Sequence, residues 1–178
     1  MLYHCTCVFQ ALAPKIVQMT SLCTVTPESS AAFLDRASER CKASGAQLTP
    51  IRRDVLGLLY ESENGLKAYD LLAKIKELRS NATPPTVYRA LDFLIEQGLV
   101  HKIERINQFV VCRHESHCLP NLFLVCPRCG KVSDFHDHDL MKSLLAGLVS
   151  AGHRLVSPEV EIGAICPECS NSENPVGH

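Results

Sequence analysis

No run of about 18 apolar residues occurs in the sequence, so no membrane-spanning helix is expected. The stretch from Met1 to Thr20 is fairly apolar. It lacks a basic start and contains His4, Cys5 and Pro14, so it makes a poor secretion signal. The expected location is the cytoplasm. No helix motif of the HExxH type is present, and no other signature of a catalytic zinc with its base. An enzyme is therefore not expected. A strong excess of charge of one sign is missing too, since the net charge is -1. A sum near zero argues against nucleic acid, but the distribution is uneven. Residues 31–112 hold 12 Lys+Arg against 10 Asp+Glu, and residues 113–178 hold 5 against 8. A mildly basic first half and an acidic second half permit DNA binding by the first half without requiring it.

Ten cysteines are present in 178 residues. The chain is too long for a disulfide-stapled mini-protein, and in a reducing compartment paired cysteines more often hold metal. Cys126-Pro-Arg-Cys129-Gly130 and Cys166-Pro-Glu-Cys169 are two CxxC knuckles. Each can turn two thiolates toward one ion, and four sulfurs at tetrahedral angles suit a closed, structural Zn²⁺ site. The competing interpretation is a pair of redox dithiols or disulfides. Neither knuckle comes with a catalytic partner motif, which favours zinc.

The pattern along the chain divides it into five stretches. Residues 1–26 read as a disordered extension, in which Met19 is an alternative start and Cys5, Cys7 and Cys23 are idle. Residues 27–112 read as a winged helix-turn-helix. The first helix is expected from Glu28 to Ser44, with Thr26 as N-cap and Pro27 in the first turn. The second starts at Thr49-Pro50, with Ile51, Val55, Leu58 and Leu59 on its apolar stripe. The third runs from Ala68 to Arg79, with Leu71, Leu72, Ile75 and Leu78 inward. The fourth starts near Pro84-Pro85, buries Val87, Leu91, Leu94 and Ile95, and stops at Gly98. Strands at Leu99–Glu104 and Gln108–Cys112 complete the wing. Residues 113–120 form a His- and Cys-rich connector. Residues 121–170 give a small α/β unit: strands at Asn121–Val125, Lys131–Phe135 and Leu155–Ile165, and a helix at Asp139–Ala151. Its core is small, so it needs a metal, a partner subunit, or both. Residues 171–178 are a polar tail. The fold class is α+β: an N-terminal winged helix-turn-helix and a small C-terminal α/β dimerisation domain with structural zinc.

A second group of ligand types crowds the junction of the two halves: His101, Cys112, His114, His117, Cys118, Asp134, His136 and His138. Neighbouring strands can put His101 and Cys112 on one side of the hairpin, and the connector can fold back across them. A metal held by residues of both halves fixes their relative angle, which is what a sensor requires. A set that includes a thiolate favours Zn²⁺. His136 and His138 fit equally well as a solvated helix start.

The fourth helix opens with Thr83-Pro-Pro-Thr-Val-Tyr-Arg89. Thr86 and Tyr88 can donate to phosphate at a helix N-terminus, Arg89 can reach guanine in the major groove, and Tyr69 can touch backbone or a thymine methyl. Equally, Tyr88 can be half-buried core and Arg89 a surface charge.

These motifs together resemble the ferric uptake regulator (Fur) family over residues 28–170. Leu48-Thr49-Pro50-x-Arg52 resembles the entry to its second helix. Thr86-Val87-Tyr88-Arg89-Ala90-Leu91 with Gly98-Leu99-Val100 resembles its recognition helix and wing, and the two CxxC pairs resemble its structural zinc site. Pro84 to Gly98 and Val100-His101-Lys102 look most like the zinc-responsive (Zur) branch. That resemblance implies a homodimer that binds a palindromic operator in double-stranded DNA when zinc-loaded and represses zinc-uptake genes. It implies base contacts from Tyr69 and Arg89, and one structural and one regulatory zinc per subunit. The regulatory set it implies is His101, Cys112, a connector histidine and an acid after the first knuckle. Here these are His117, chosen over His114 and Cys118, and Asp134, shorter than the usual Glu. Ser157-Pro158 stands where many members carry a histidine. The alternatives are a regulator of the same family that senses another divalent metal or thiol oxidation.

Overall fold

Prolines and glycines punctuate the N-terminal half, and its helices begin and end where they stand. The computed structural model describes residues 29–113, 120–135, 137–157 and 159–171. Helix α1 covers Ser30–Ala43, α2 Pro50–Glu61, α3 Ala68–Leu78 and α4 Pro84–Glu96. The N-cap of α1 is Ser29, whose side chain accepts from the Ala32 amide at 3.2 Å. It takes the role expected of Thr26, which lies with Pro27 outside the described residues. Both α2 and α4 start with proline just after a threonine, where the missing N–H costs nothing.

The four helices enclose one core. In α4, Val87, Ala90, Leu91 and Leu94 are buried at helical spacing, against Val55, Leu56 and Leu59 of α2 and Leu71 and Ile75 of α3. Burying one such side chain is worth about 1.5–3 kcal/mol. Leu78, expected inward, is 62% exposed. It is the last residue of α3, beyond the edge of the core. The next residue, Arg79, turns back instead and pairs with Asp54 of α2.

The wing is a hairpin of β1 (Val100–Ile103) and β2 (Gln108–Val111), joined by a single 3-10 turn at Glu104–Ile106 and by Asn107 in the left-handed region. In its antiparallel register Val100 faces Val111, and His101 faces Val110. Alternation then sorts the side chains onto two faces. Val100, Phe109 and Val111 join the helical core. Ile103 and Val110 turn the other way and pack with Phe123, Val125 and Val132 of the C-terminal half. The hairpin is therefore covered on both sides, and none of its strand residues is exposed.

The C-terminal half has strands β3 (Asn121–Val125), β4 (Val132–Phe135) and β5 (Glu159–Gly163), with helix α5 (His138–Ser150) before β5 and a short helix α6 (Pro167–Asn171) at its end. The sheet order is β4-β3-β5, antiparallel then parallel. Strand β5 is shorter than the expected Leu155–Ile165. Asp137 caps α5, its carboxylate accepting from the amides of Asp139 and Leu140 at 3.0 and 2.9 Å. Asp137-His138-Asp139 thus serves as a helix start. Its His138 is exposed, and His136 lies outside the described residues. Only Met141 of α5 is buried, and Leu140, Val149, Val156 and Ile162 are exposed.

The wing is fastened to the helices at Leu66, which exchanges two backbone hydrogen bonds with Phe109 at 2.8 and 3.0 Å. Gly65 precedes it with φ +75°, and a Cβ there would lie 2.4 Å from the Phe109 carbonyl oxygen. Gly65→Ala should destabilise the protein by more than the ~1 kcal/mol of left-handed strain alone, because backbone must also move. Urea denaturation measures this, and an unchanged midpoint would show that the wing is not held at this point.

Candidate metal centre and nucleic-acid face

The first knuckle is a tight turn. The Gly130 amide bonds the Cys126 carbonyl at 2.9 Å, and Gly130 takes φ +72°. The second knuckle lies at the start of α6, where the Ser170 amide bonds the Cys166 carbonyl at 2.9 Å. Strand β5 runs parallel to β3, so both knuckles emerge at the same end of the sheet. The sulfurs of Cys126, Cys129, Cys166 and Cys169 all lie within 4.8 Å of one another, and Cys129 and Cys166 are 3.6 Å apart. A tetrahedron with ~2.3 Å Zn–S bonds has edges of ~3.8 Å, so a zinc ion fits this cluster with small adjustments.

The thiols share protons unevenly. Backbone hydrogen bonds from Cys166 and Cys129 lower Cys126 from 9.0 to about 6. The Cys169 backbone pulls Cys166 down, but desolvation and hydrogen bonds with Glu168, Cys169 and Cys129 push it up to about 12. Zinc takes all four sulfurs as thiolates, so binding at this cluster releases protons. Arg128 donates to the Cys169 carbonyl at 2.7 Å, and Lys131 pairs with Glu168 at 2.5 Å. These contacts bind knuckle to knuckle and place positive charge beside the four sulfurs.

The second group lies at the wing. His101 is 5% exposed and is the buried polar residue of the described core. Alternation puts Cys112 on its face of the hairpin, and the two side chains are hydrogen-bonded. The His101 ring lies 5.3 Å from the Phe123 ring. Nδ1 of His101 is 2.9 Å from Glu159 Oε1, and Nε2 is 3.1 Å from Asn121 Nδ2. Burial opposes the charged ring. The bonds to Cys112 and Glu159 outweigh it and raise His101 from 6.5 to about 9. The same bond from His101 holds Glu159 below the usual carboxylate range.

Asp134 faces Phe123 across β3 and β4, which places it on the wing side of the sheet. It is exposed and lines a cavity of about 260 Å³ with Glu63, Val111, Arg113 and Phe123. His101 and Cys112 do not line that cavity. His114, His117 and Cys118 lie outside the described residues. Among the described residues, the four cysteines are the one group of three or more ligands that converge. Sequence reasoning missed Glu159 and Asn121. Neither sits in a motif, and β3 and β5 bring them to His101 from distant points in the chain.

The recognition helix presents Tyr88, 53% exposed, with an exposed Arg89 beside it. Tyr88 is thus not core. Arg89 Nε donates to the Pro85 carbonyl at 3.2 Å, and Thr86 hydrogen-bonds Thr83 at 2.9 Å. Tyr69, at the start of α3, is 80% exposed. Thr83 and Thr86 stand at the N-terminus of α4, where amide dipoles favour phosphate.

A winged helix with an open recognition face, joined to a sheet closed by a four-sulfur cluster, defines a metal-responsive DNA-binding regulator. The chain belongs to the ferric uptake regulator family, whose model, "Ferric uptake regulator family", matches residues 43–162. It is similar to the zinc uptake regulation protein of Escherichia coli (strain K12), at 37% identity over 145 residues, covering 79% of this chain and 83% of the relative. A solved zinc uptake regulator complexed with zinc and DNA matches with a TM-score of 0.72 at 33% identity, covering 83% of this chain and 99% of that one. The crystal structure of holo XcZur matches with a TM-score of 0.68 at 36% identity, covering 79% and 99%. Regulators of this family are not enzymes. No helix among the described residues is long and apolar enough to cross a membrane.

Cys129→Ser should remove one zinc per chain and lower the temperature at which the C-terminal half unfolds. Metal analysis and calorimetry on the same sample test both. Full zinc retention with an unchanged transition would show that the cluster is not a structural metal site.

Proposed function

We propose that this chain is a zinc-responsive repressor that binds DNA when zinc-loaded and controls zinc-uptake genes. The observation that carries this reading is the pair of His101 and Cys112, buried together on the wing face that meets the C-terminal half. A thiolate and an imidazole at a domain junction suit zinc, and a zinc ion there holds one angle between the halves. His117 and Asp134 complete the regulatory set: Asp134 faces the wing, and the connector that carries His117 begins directly after Cys112 and Arg113. Cys126, Cys129, Cys166 and Cys169 hold a second, structural zinc. Relatives named for zinc uptake regulation support the choice of metal.

DNA recognition falls to α4 and the start of α3. Thr86 and Tyr88 contact phosphate, and Tyr69 and Arg89 contact bases. The active form is a homodimer. The exposed Leu140, Val149 and Ile162 lie on the small C-terminal half, whose own core is too slight to cover them. Two-fold pairing covers such residues and matches a palindromic operator. The site of action is the cytoplasm.

Operator binding by fluorescence anisotropy, at fixed salt and with one or two zinc ions per chain, tests the proposal. The form with both ions should bind tightly, with log affinity falling by roughly 0.9 per phosphate contact against log salt. Cys112→Ser should keep the structural zinc and lose tight binding. Arg89→Ala should cost about 1–3 kcal/mol at one base position. Equal operator affinity before and after loss of the regulatory zinc would refute the sensor.

A further inference from the structure

The carboxylate of Glu159 has no part in the ligand set above, yet it lies within hydrogen-bond reach of His101. Glu159 opens β5, and its register partner across the parallel pair is Asn121, which opens β3. These two neighbours hold the imidazole from both nitrogens, Glu159 Oε1 at 2.9 Å from Nδ1 and Asn121 Nδ2 at 3.1 Å from Nε2. The second oxygen of Glu159 is occupied as well: the Ser157 hydroxyl donates to Oε2 at 3.1 Å, and the Glu159 amide bonds that hydroxyl at 3.2 Å. The carboxylate is thus pinned by its own strand and aimed at one ring nitrogen.

A histidine that binds a metal needs a lone pair toward the ion and a proton acceptor behind it. A carboxylate in that second place fixes both the tautomer and the ring plane. In the neutral ring, Nδ1 keeps its proton for Glu159, and the lone pair falls on Nε2, where the Asn121 amide donates and an ion would take its place. Both oxygens of Glu159 are engaged, one by the ring of His101 and one by the Ser157 hydroxyl. It therefore stands behind the histidine rather than on the metal.

We infer that Glu159 is a positioning residue for the interdomain metal site, holding His101 with Nε2 toward the ion from a strand of the opposite domain. This rests on the proposal that His101 is a zinc ligand. The link between domains then includes a protein contact as well as the ion. A one-residue slip of β5 would turn the carboxylate to the other face of the sheet and break it.

A neighbouring residue supplies a control. Glu161, on the same strand face, accepts from the backbone amides of Glu104 and Arg105 at 2.7 and 3.0 Å, so it ties the same junction without touching His101. The experiment uses the full chain and measures zinc affinity by chelator competition, with Co²⁺ absorption of the second site as a spectroscopic signature. Wild type should take up two ions per chain. Glu159→Gln should keep the four-cysteine ion, bind the second about 10–100-fold more weakly and shift the Co²⁺ bands. Glu161→Ala should retain near wild-type affinity and bands. Unchanged affinity and bands in Glu159→Gln overturn the inference, and so does equal weakening in Glu161→Ala, which would mean that any loosening of the junction suffices. A wild-type chain that binds zinc only at the four cysteines overturns the interdomain site itself, and this inference with it.

Discussion

Closure of residues 166–169 onto residues 126–129 is the constraint on which the C-terminal half depends. Among the described residues its buried apolar side chains are Leu122, Phe123, Val125 and Met141, with Ile103 lent by the wing. Ordering backbone costs about 1–2 kcal/mol per residue, far more across β3 to β5 than these few buried side chains return. A tetrahedral metal joining the two knuckles removes the freedom of the chain between them. It also explains why β5 lies parallel to β3. Only then do the two CxxC turns arrive at the same end of the sheet.

Once β5 is held at that end, the other end is placed against the wing. Glu159 and Glu161 differ by two residues, so both point to one face. Glu159 meets His101, and Glu161 caps the backbone of the turn after β1. The wing hairpin is thus shared. One face completes the helical core through Val100, Phe109 and Val111, and the other carries His101, Ile103 and Val110 to the sheet. A buried polar ring on a surface otherwise apolar is stable only with partners for both nitrogens, which Asn121 and Glu159 provide.

Local signals made much of this legible in the sequence. Thr-Pro at the starts of α2 and α4, Gly98 after α4 and the helical stripe of Val87, Leu91 and Leu94 depend on neighbours a few residues apart, and the structure follows them. The four-cysteine cluster was legible for the same reason, since each CxxC is a local turn. The misses are of another kind. Leu78 fits the stripe of α3, but the helix runs past the edge of the core. Ser29 caps α1 where an earlier threonine and proline offered as good a local signal. Glu159 and Asn121 carry no signal at all, because their meeting with His101 is decided by the parallel register of β3 and β5.

How a metal at the wing would reach Arg89 follows from connectivity. No proposed ligand lies on α4, so zinc cannot act by reshaping the recognition helix. The helix passes through Gly98 into Leu99, whose carbonyl accepts from the Cys112 amide at 2.8 Å, and Arg40 of α1 donates to the carbonyl of Gln97 at 3.1 Å. Helices and wing are therefore tied into one packed body. A hinge between that body and the C-terminal half changes only the position of α4 relative to its counterpart in the proposed dimer. Two recognition helices must lie about 34 Å apart to enter successive major grooves on one side of DNA. An ion that holds one hinge angle selects that spacing, and its leverage on DNA is limited to its preference for that angle over others.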